Sequence, residues 1–190
     1  MAVVNYLLPL QLGHCSNESI ICRDEVCYLR VGRTYTNPII SDKSVPDPSV
    51  IRANDGYFYL YATQTKTYWM PVYRSKDLVN WEYQGTAFNK ATEPDLPGGG
   101  AFWAPEIRFL NGKYVLYYSW AKMNGADISY TAVAVGDTPM GPFLDSKELI
   151  GNKEFGSNCI DQFYYEEDGK KYMFFGSFKG IYVTELEDDG

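Results

Sequence analysis

The chain repeats itself, and that repeat restricts its fold more than any other feature. Residues 47–63 read DPSVIRANDGYFYLYAT, residues 103–119 WAPEIRFLNGKYVLYYS and residues 160–177 IDQFYYEEDGKKYMFFGS. Each segment is an apolar run, a turn ending in glycine and a second, Tyr-rich run. The turn glycines, Gly56, Gly112 and Gly169, lie about 57 residues apart. Asn54-Asp55-Gly56, Asn111-Gly112 and Asp168-Gly169 are hairpin signals, because a tight turn needs positive φ and Gly or Asn adopts it at little cost. A fixed period of this length marks a supersecondary unit that must stack on its neighbours to bury its apolar face.

Further strand pairs lie between the hairpins. MPVYRSKDLVNWEYQG at 70–85 reads as strand, polar turn at Ser75-Lys76-Asp77, strand. ISYTAVAV at 128–135, the Gly-Pro-rich turn at 136–142 and a strand from Phe143 repeat the arrangement. Each unit therefore holds about four strands, the anatomy of a propeller blade. The expected fold class is all-β, and no segment sustains a helical period beyond two turns. Units begin near Asp47, Ala104 and Asp161, so the chain is expected to hold two blades and half or more of a third. Such an array cannot close on itself, which predicts part of a larger propeller.

Composition narrows the functional classes. Aromatic residues are 16% of the 190, with 17 Tyr; these suit half-buried strand faces, and exposed ones suit sugar rings. The net charge of −7 leaves no basic stripe for nucleic acid and no attraction to an anionic membrane. No apolar stretch reaches the 18 residues needed to span a bilayer. A neutral partner such as a polysaccharide fits this surface. Cys15, Cys22 and Cys27 crowd the start; a Cys22–Cys27 or Cys15–Cys27 disulfide and unpaired thiols are alternatives that spacing leaves open. His14 is the only histidine, which argues against a His-based metal site. Residues 1–36 match no propeller motif and lack a charged leader with a small-residue cleavage site; 37–190 are expected to form the propeller part.

Two carboxylates occupy matching places in the repeat, Asp47 and Asp161, with Ala104 between them. Inner strands of a propeller converge on its axis, so residues at their starts meet around a central pocket. Two carboxyls brought together there raise one another's proton affinity. Asp before Pro is also a common turn former, the plainer reading of Asp47 alone.

VPDPSVI at 45–51, YRSKDLVNWE at 73–82, FWAPEI at 102–107, TPMGPF at 138–143 and IDQFYYEEDGKKY at 160–172 together resemble glycoside hydrolase family 43. With GSFKGIY at 176–182, the resemblance is closest to the arabinan endo-1,5-α-L-arabinosidases. It implies a five-bladed β-propeller, here two and a half to three blades, that hydrolyses arabinan, arabinofuranosides or xylosides with inversion. It makes Asp47 the general base and Asp161 the carboxylate that orients the acid and raises its pKa. Trp103 resembles an aromatic wall of the sugar pocket; Tyr68 and Trp69, on the connection after the first hairpin, are candidate sugar-facing aromatics, with ordinary packing as the alternative. An inverting site separates acid and base by about 6.5–9.5 Å to admit water. The family's general acid, a Glu on the fourth blade, lies beyond Gly190, as does the histidine associated with a central ion. No cofactor is expected, although the resemblance allows a structural calcium ion in the full-length fold. A polymeric substrate implies a secreted, periplasmic or cell-surface protein. The competing reading is a carbohydrate-binding propeller without catalysis; WD or kelch signatures are absent.

Overall fold

The hairpin signals act where the sequence places them. The computed structural model describes residues 18–23, 26–31, 35–41, 43–97, 100–122 and 129–190, the first two stretches by backbone alone. Asn111 and Gly112 have φ of 49° and 80°, Asp168 and Gly169 of 52° and 76°. Each pair is a two-residue loop with both centres left-handed, the turn whose twist matches that of the strands it joins. The first hairpin is looser: Arg52 pairs with Phe58, and between them the Asp55 carboxylate accepts the Tyr57 N–H and the Tyr59 hydroxyl.

The chain divides into two units, Met1–Ser41 and Asp42–Gly190. In the first, β1 (Glu18–Arg23) and β2 (Val26–Val31) form an antiparallel hairpin whose register sets Cys22 opposite Cys27. His14 and Cys15 lie outside the described residues, as do the side chains of Cys22 and Cys27, so the disulfide alternatives stand as they were.

The second unit is built from three antiparallel sheets. The first contains β3 (Ser49–Arg52), β4 (Phe58–Tyr61), β5 (Pro71–Ser75) and β6 (Trp81–Thr86) in sequential order. The second contains β7 (Ala101–Leu110), β8 (Lys113–Ala121), β9 (Ser129–Gly136) and β10 (Leu144–Ile150), again in order. One turn of α-helix, Asn152–Phe155, and a 3₁₀ turn, Gly156–Asn158, lead to the third sheet. This holds β11 (Phe163–Glu167), β12 (Lys170–Phe175) and β13 (Tyr182–Leu186). Sequential up-and-down sheets repeated along the chain are the blades of a partial, unclosed β-propeller. The polar run from Glu185 begins inside β13, where Glu185 pairs with Tyr172.

Aromatic rings fill the spaces between sheets. Phe88 and Phe102 stack at 4.3 Å and 12°, with Tyr61, Tyr118, Trp120 and Phe143 around them in the core shared by the first two sheets. A second cluster joins the second and third sheets through Tyr117, Tyr164, Val115, Val133, Met173 and Phe175. Burial of such rings, at about 25 cal/mol per Å², is the main force holding sheet to sheet. Beyond the third sheet nothing described covers the apolar side chains: Phe163 is 53% exposed, Val183 56%, Ile181 68% and Phe178 82%.

Candidate active site

The repeat recurs in the backbone as well as in the sequence. Asp47, Ala104 and Asp161, spaced 57 residues apart, have φ of 51°, 39° and 57°. Each blade thus passes through one left-handed residue at the same point. For Asp47 and Asp161 that point lies two residues before the strands β3 and β11 begin. For Ala104 it falls within β7, where the pairing with β8 slips between Trp103 and Glu106. Asp tolerates this region because its short polar side chain bonds locally, whereas Ala has no such compensation.

A continuous set of hydrogen bonds ties the three positions together. The Thr63 hydroxyl donates to Asp47 Oδ2 at 2.6 Å and accepts the Ala104 N–H at 2.7 Å. The Ala104 carbonyl accepts from the Gln162 side-chain amide. Gln162 Oε1 accepts from the Ser119 hydroxyl at 3.0 Å, and Ser119 Oγ in turn accepts the Asp161 N–H at 3.0 Å. One aspartate's side chain and the other's backbone are therefore joined through residues of all three repeats. Gln162 and Ser119 are buried, which makes the bond between them costly to break, whereas the Thr63–Asp47 bond at the other end is exposed.

Electrostatics acts on the Asp161 carboxyl. Asp161 is pushed above the ordinary carboxylate value of 3.8, first by desolvation, although its side chain still reaches solvent, and then by the like charge of Asp47. The nearby Ser177 side chain opposes the rise without cancelling it. The like charge that acts on Asp161 comes from 114 residues earlier in the sequence, at Asp47.

Glu106, two residues past Ala104, is buried and serves the framework. It accepts from Ser49 Oγ at 3.1 Å and from the Tyr164 N–H at 3.4 Å, and pairs with Arg108 at 2.5 Å. Desolvation raises its pKa, and Arg108 pulls it back. Since Ser49 opens β3 and Tyr164 lies in β11, this one carboxylate joins the first and third sheets through the second.

The aromatic candidates divide. Trp103 sits on β7 beside Ala104, half-buried, and its register partner on β8 is Ser119, which places it next to the hydrogen-bonded set. Trp69 packs against the first core, its ring 6.2 Å from Phe102. The Tyr68 hydroxyl receives a hydrogen bond from Lys43 Nζ at 2.7 Å, and its ring meets Tyr83 edge-on at 5.1 Å. These contacts engage Tyr68 and Trp69 in packing, the alternative weighed from sequence. Thr63, Ser119, Gln162 and Ser177 were not singled out by sequence reasoning. The available signal was a hydroxyl residue sixteen positions after each aspartate: Thr63 after Asp47, Ser177 after Asp161. Among the described residues, no three His, Cys, Asp or Glu side chains gather as a metal site would require, and no helix is long and apolar enough to cross a membrane.

Known proteins share this arrangement of sheets. The model of the glycosyl hydrolases family 43 matches residues 35–190. An extracellular endo-α-(1→5)-L-arabinanase of Bacillus subtilis is 28% identical over 154 residues, covering 77% of this chain and 48% of its own. A β-xylosidase of the same species is 29% identical over 171 residues, covering 80% of this chain and 30% of its own. The structure of a Cellvibrio cellulosa α-L-arabinanase complexed with arabinohexaose superposes with a TM-score of 0.61 at 31% identity, over 78% of this chain and 50% of that one. The chain thus spans about half the length of the arabinanases and about a third of that of the β-xylosidase it matches.

Proposed function

From the premise that this chain belongs to the glycosyl hydrolases family 43, we propose that it carries the base-bearing part of a five-bladed propeller glycosidase. Its substrate is an arabinan- or xylan-type plant polysaccharide, α-1,5-linked arabinan foremost, and its reaction proceeds with inversion. The observation that carries this reading is the pair of aspartates at one repeat position, both in left-handed backbone, with Asp47 raising the proton affinity of Asp161.

In this reaction Asp47 takes a proton from water as the water oxygen attacks the anomeric carbon. The bond to the leaving oxygen breaks on the opposite face, and that oxygen is protonated by a third carboxyl. Asp161 orients that acid and keeps it protonated by like-charge proximity, and Trp103 walls the sugar. In this reading the acid belongs to a later blade of the propeller. Glu106 does not stand in for it, since Ser49, Arg108 and the Tyr164 N–H already engage its carboxylate. That engagement favours one second reading, in which the 190-residue chain holds sugar without cleaving it. A polysaccharide substrate also places the protein outside the cytoplasm.

The test separates the base from the acid. A 2,4-dinitrophenyl α-L-arabinofuranoside releases a phenolate that needs no proton, so its hydrolysis requires only the base and the pocket. The chain is expected to hydrolyse it, giving the β-anomer first by NMR, and Asp47→Asn is expected to lower the rate by about 10²–10⁴. Arabinohexaose bound without turnover of either substrate supports the binding reading. An unchanged rate in Asp47→Asn removes the base assignment.

A further inference from the structure

One repeat breaks a pattern that the other two keep. The left-handed residues Asp47 and Ala104 are each followed by proline, Pro48 and Pro105, whereas Asp161 is followed by Gln162. Proline at this point stiffens the chain and carries no N–H. Gln162 gives up that stiffness for a side-chain amide, and the residue is only 6% exposed. A buried amide must find hydrogen-bond partners, a demand that proline would not impose.

The second repeat supplies one of those partners. On the ladder of β7 and β8, Trp103 pairs with Ser119 and Glu106 with Tyr117, so Ala104 and Pro105 stand opposite the single residue Tyr118. Such a bulge takes backbone groups out of the ladder. Both polar backbone groups of Ala104 are taken up by the flanking repeats: its N–H by Thr63 Oγ1 at 2.7 Å, its carbonyl by the Gln162 side-chain nitrogen. A carbonyl only accepts, so the Gln162 NH₂ faces Ala104 and Oε1 faces Ser119. The Ser119 hydroxyl then donates to Oε1 at 3.0 Å, and its oxygen accepts the Asp161 N–H at 3.0 Å. The direction of each bond is thus fixed by the chemistry of its partners.

We propose that Gln162 is a positioning residue that sets the two aspartates relative to one another. The proposal rests on the reading of Asp47 and Asp161 as the working carboxylates of a glycosidase. Through Ser119 the amide holds the backbone of Asp161; through Ala104 and Thr63 it holds the side chain of Asp47. Trp103, next to Ala104, is steadied at the same point. Gln162 acts through these neighbours rather than on the sugar itself.

The experiment uses the full 190-residue chain, with kcat and KM on the dinitrophenyl arabinofuranoside beside amide hydrogen exchange followed by ¹⁵N NMR. Gln162→Met keeps the length of the side chain and removes both polar groups. It is expected to lower kcat about ten- to a hundredfold with KM held within about threefold, the pattern of a misplaced reacting group. Exchange at the Ala104 and Asp161 N–H groups should quicken about tenfold or more, while amides of β4 and β5 keep the wild-type rate, which marks a local release. Gln162→Glu keeps the acceptor and replaces the donor by a carboxylate oxygen; once protonated, the introduced carboxyl regains an O–H for the Ala104 carbonyl. Asp47, Asp161 and Glu106 titrate in both chains, so the ratio of variant to wild-type kcat isolates residue 162. That ratio is expected to rise about threefold or more from pH 7 to pH 5. If Gln162→Met does not fold, Gln162→Pro, the residue of the other two repeats, carries the same comparison. Wild-type kcat in the amide-deleted chain, a flat ratio, or exchange that is unmoved at Ala104 and Asp161 or quickened equally throughout overturns the proposal. Should the wild-type chain hydrolyse nothing, the functional reading fails, while exchange alone still decides whether Gln162 holds the two aspartate segments.

Discussion

Ala104 carries a backbone conformation that its side chain disfavours. At φ 39° its Cβ crowds the following carbonyl, a strain of about 1–2 kcal/mol that glycine escapes. Glycine also has more freedom to lose on folding, so Ala104→Gly is expected to stabilise the chain by a net of about 0.5–1 kcal/mol. A higher urea midpoint at unchanged slope would register it. Asp161 is costly for a different reason. Its pKa is higher folded than unfolded, so the native chain binds this proton more tightly, and the resulting stabilisation disappears as pH rises through the raised value. Asp161→Asn is accordingly expected to be more stable than wild type at pH 7, by about 0.5 kcal/mol or less because the carboxyl reaches solvent. The difference should vanish below the ordinary value of 3.8, where both chains are neutral at this position; melting curves at pH 3 and 7 check it. The two aspartates were legible in the sequence because they repeat at one register. Thr63 was not, because a hydroxyl sixteen residues from a carboxylate acquires meaning only when the hairpin returns it to the strand's start.

At the level of strands, local chemistry was readable and cross-sheet chemistry was not. Gly112 and Gly169 announced their hairpins because the turn depends on two adjacent residues alone. Nothing near Glu106 in sequence indicates that it accepts from Ser49, 57 residues earlier, and from the Tyr164 N–H, 58 later. Its role joins elements rather than forming one. Glu106→Ala leaves the Ser49 hydroxyl and Tyr164 N–H without their acceptor and Arg108 without its carboxylate. The expected loss is about 2–4 kcal/mol, the upper end moderated by the partial exposure of Arg108. Glu106→Gln keeps an acceptor and should lose less. Because desolvation raises the Glu106 pKa, the Gln variant should also lack one contribution that fades as pH climbs above 4.5. Denaturant titrations of both variants at pH 4 and 7 test the assignment; equal stability of the Ala and Gln chains would remove the acceptor role.

Across the whole molecule, each sheet is finished by the next one. The first two sheets enclose Phe88 and Phe102, and the second and third enclose Tyr117 and Tyr164. Phe163 and Val183 on the third sheet, and Phe178 and Ile181 on the connection between β12 and β13, stay exposed, and β13 is an edge with no described strand beyond it. An apolar face beside an open strand edge offers both ring surface and unpaired backbone groups, the combination that drives chains together. The 190-residue chain is therefore expected to self-associate with rising concentration, with mass that falls as the sample is diluted in sedimentation velocity. Charge on that face should oppose it. The double variant Phe163→Lys, Val183→Lys adds two cations where little packing is lost, since both side chains are more than half exposed. Its melting temperature should hold to within what about 0.5 kcal/mol produces, while its association weakens. Equal association of the two chains would move the contact elsewhere, and a wild-type chain monomeric at every concentration would mean that the exposed rings and open edge are insufficient to bring two copies together.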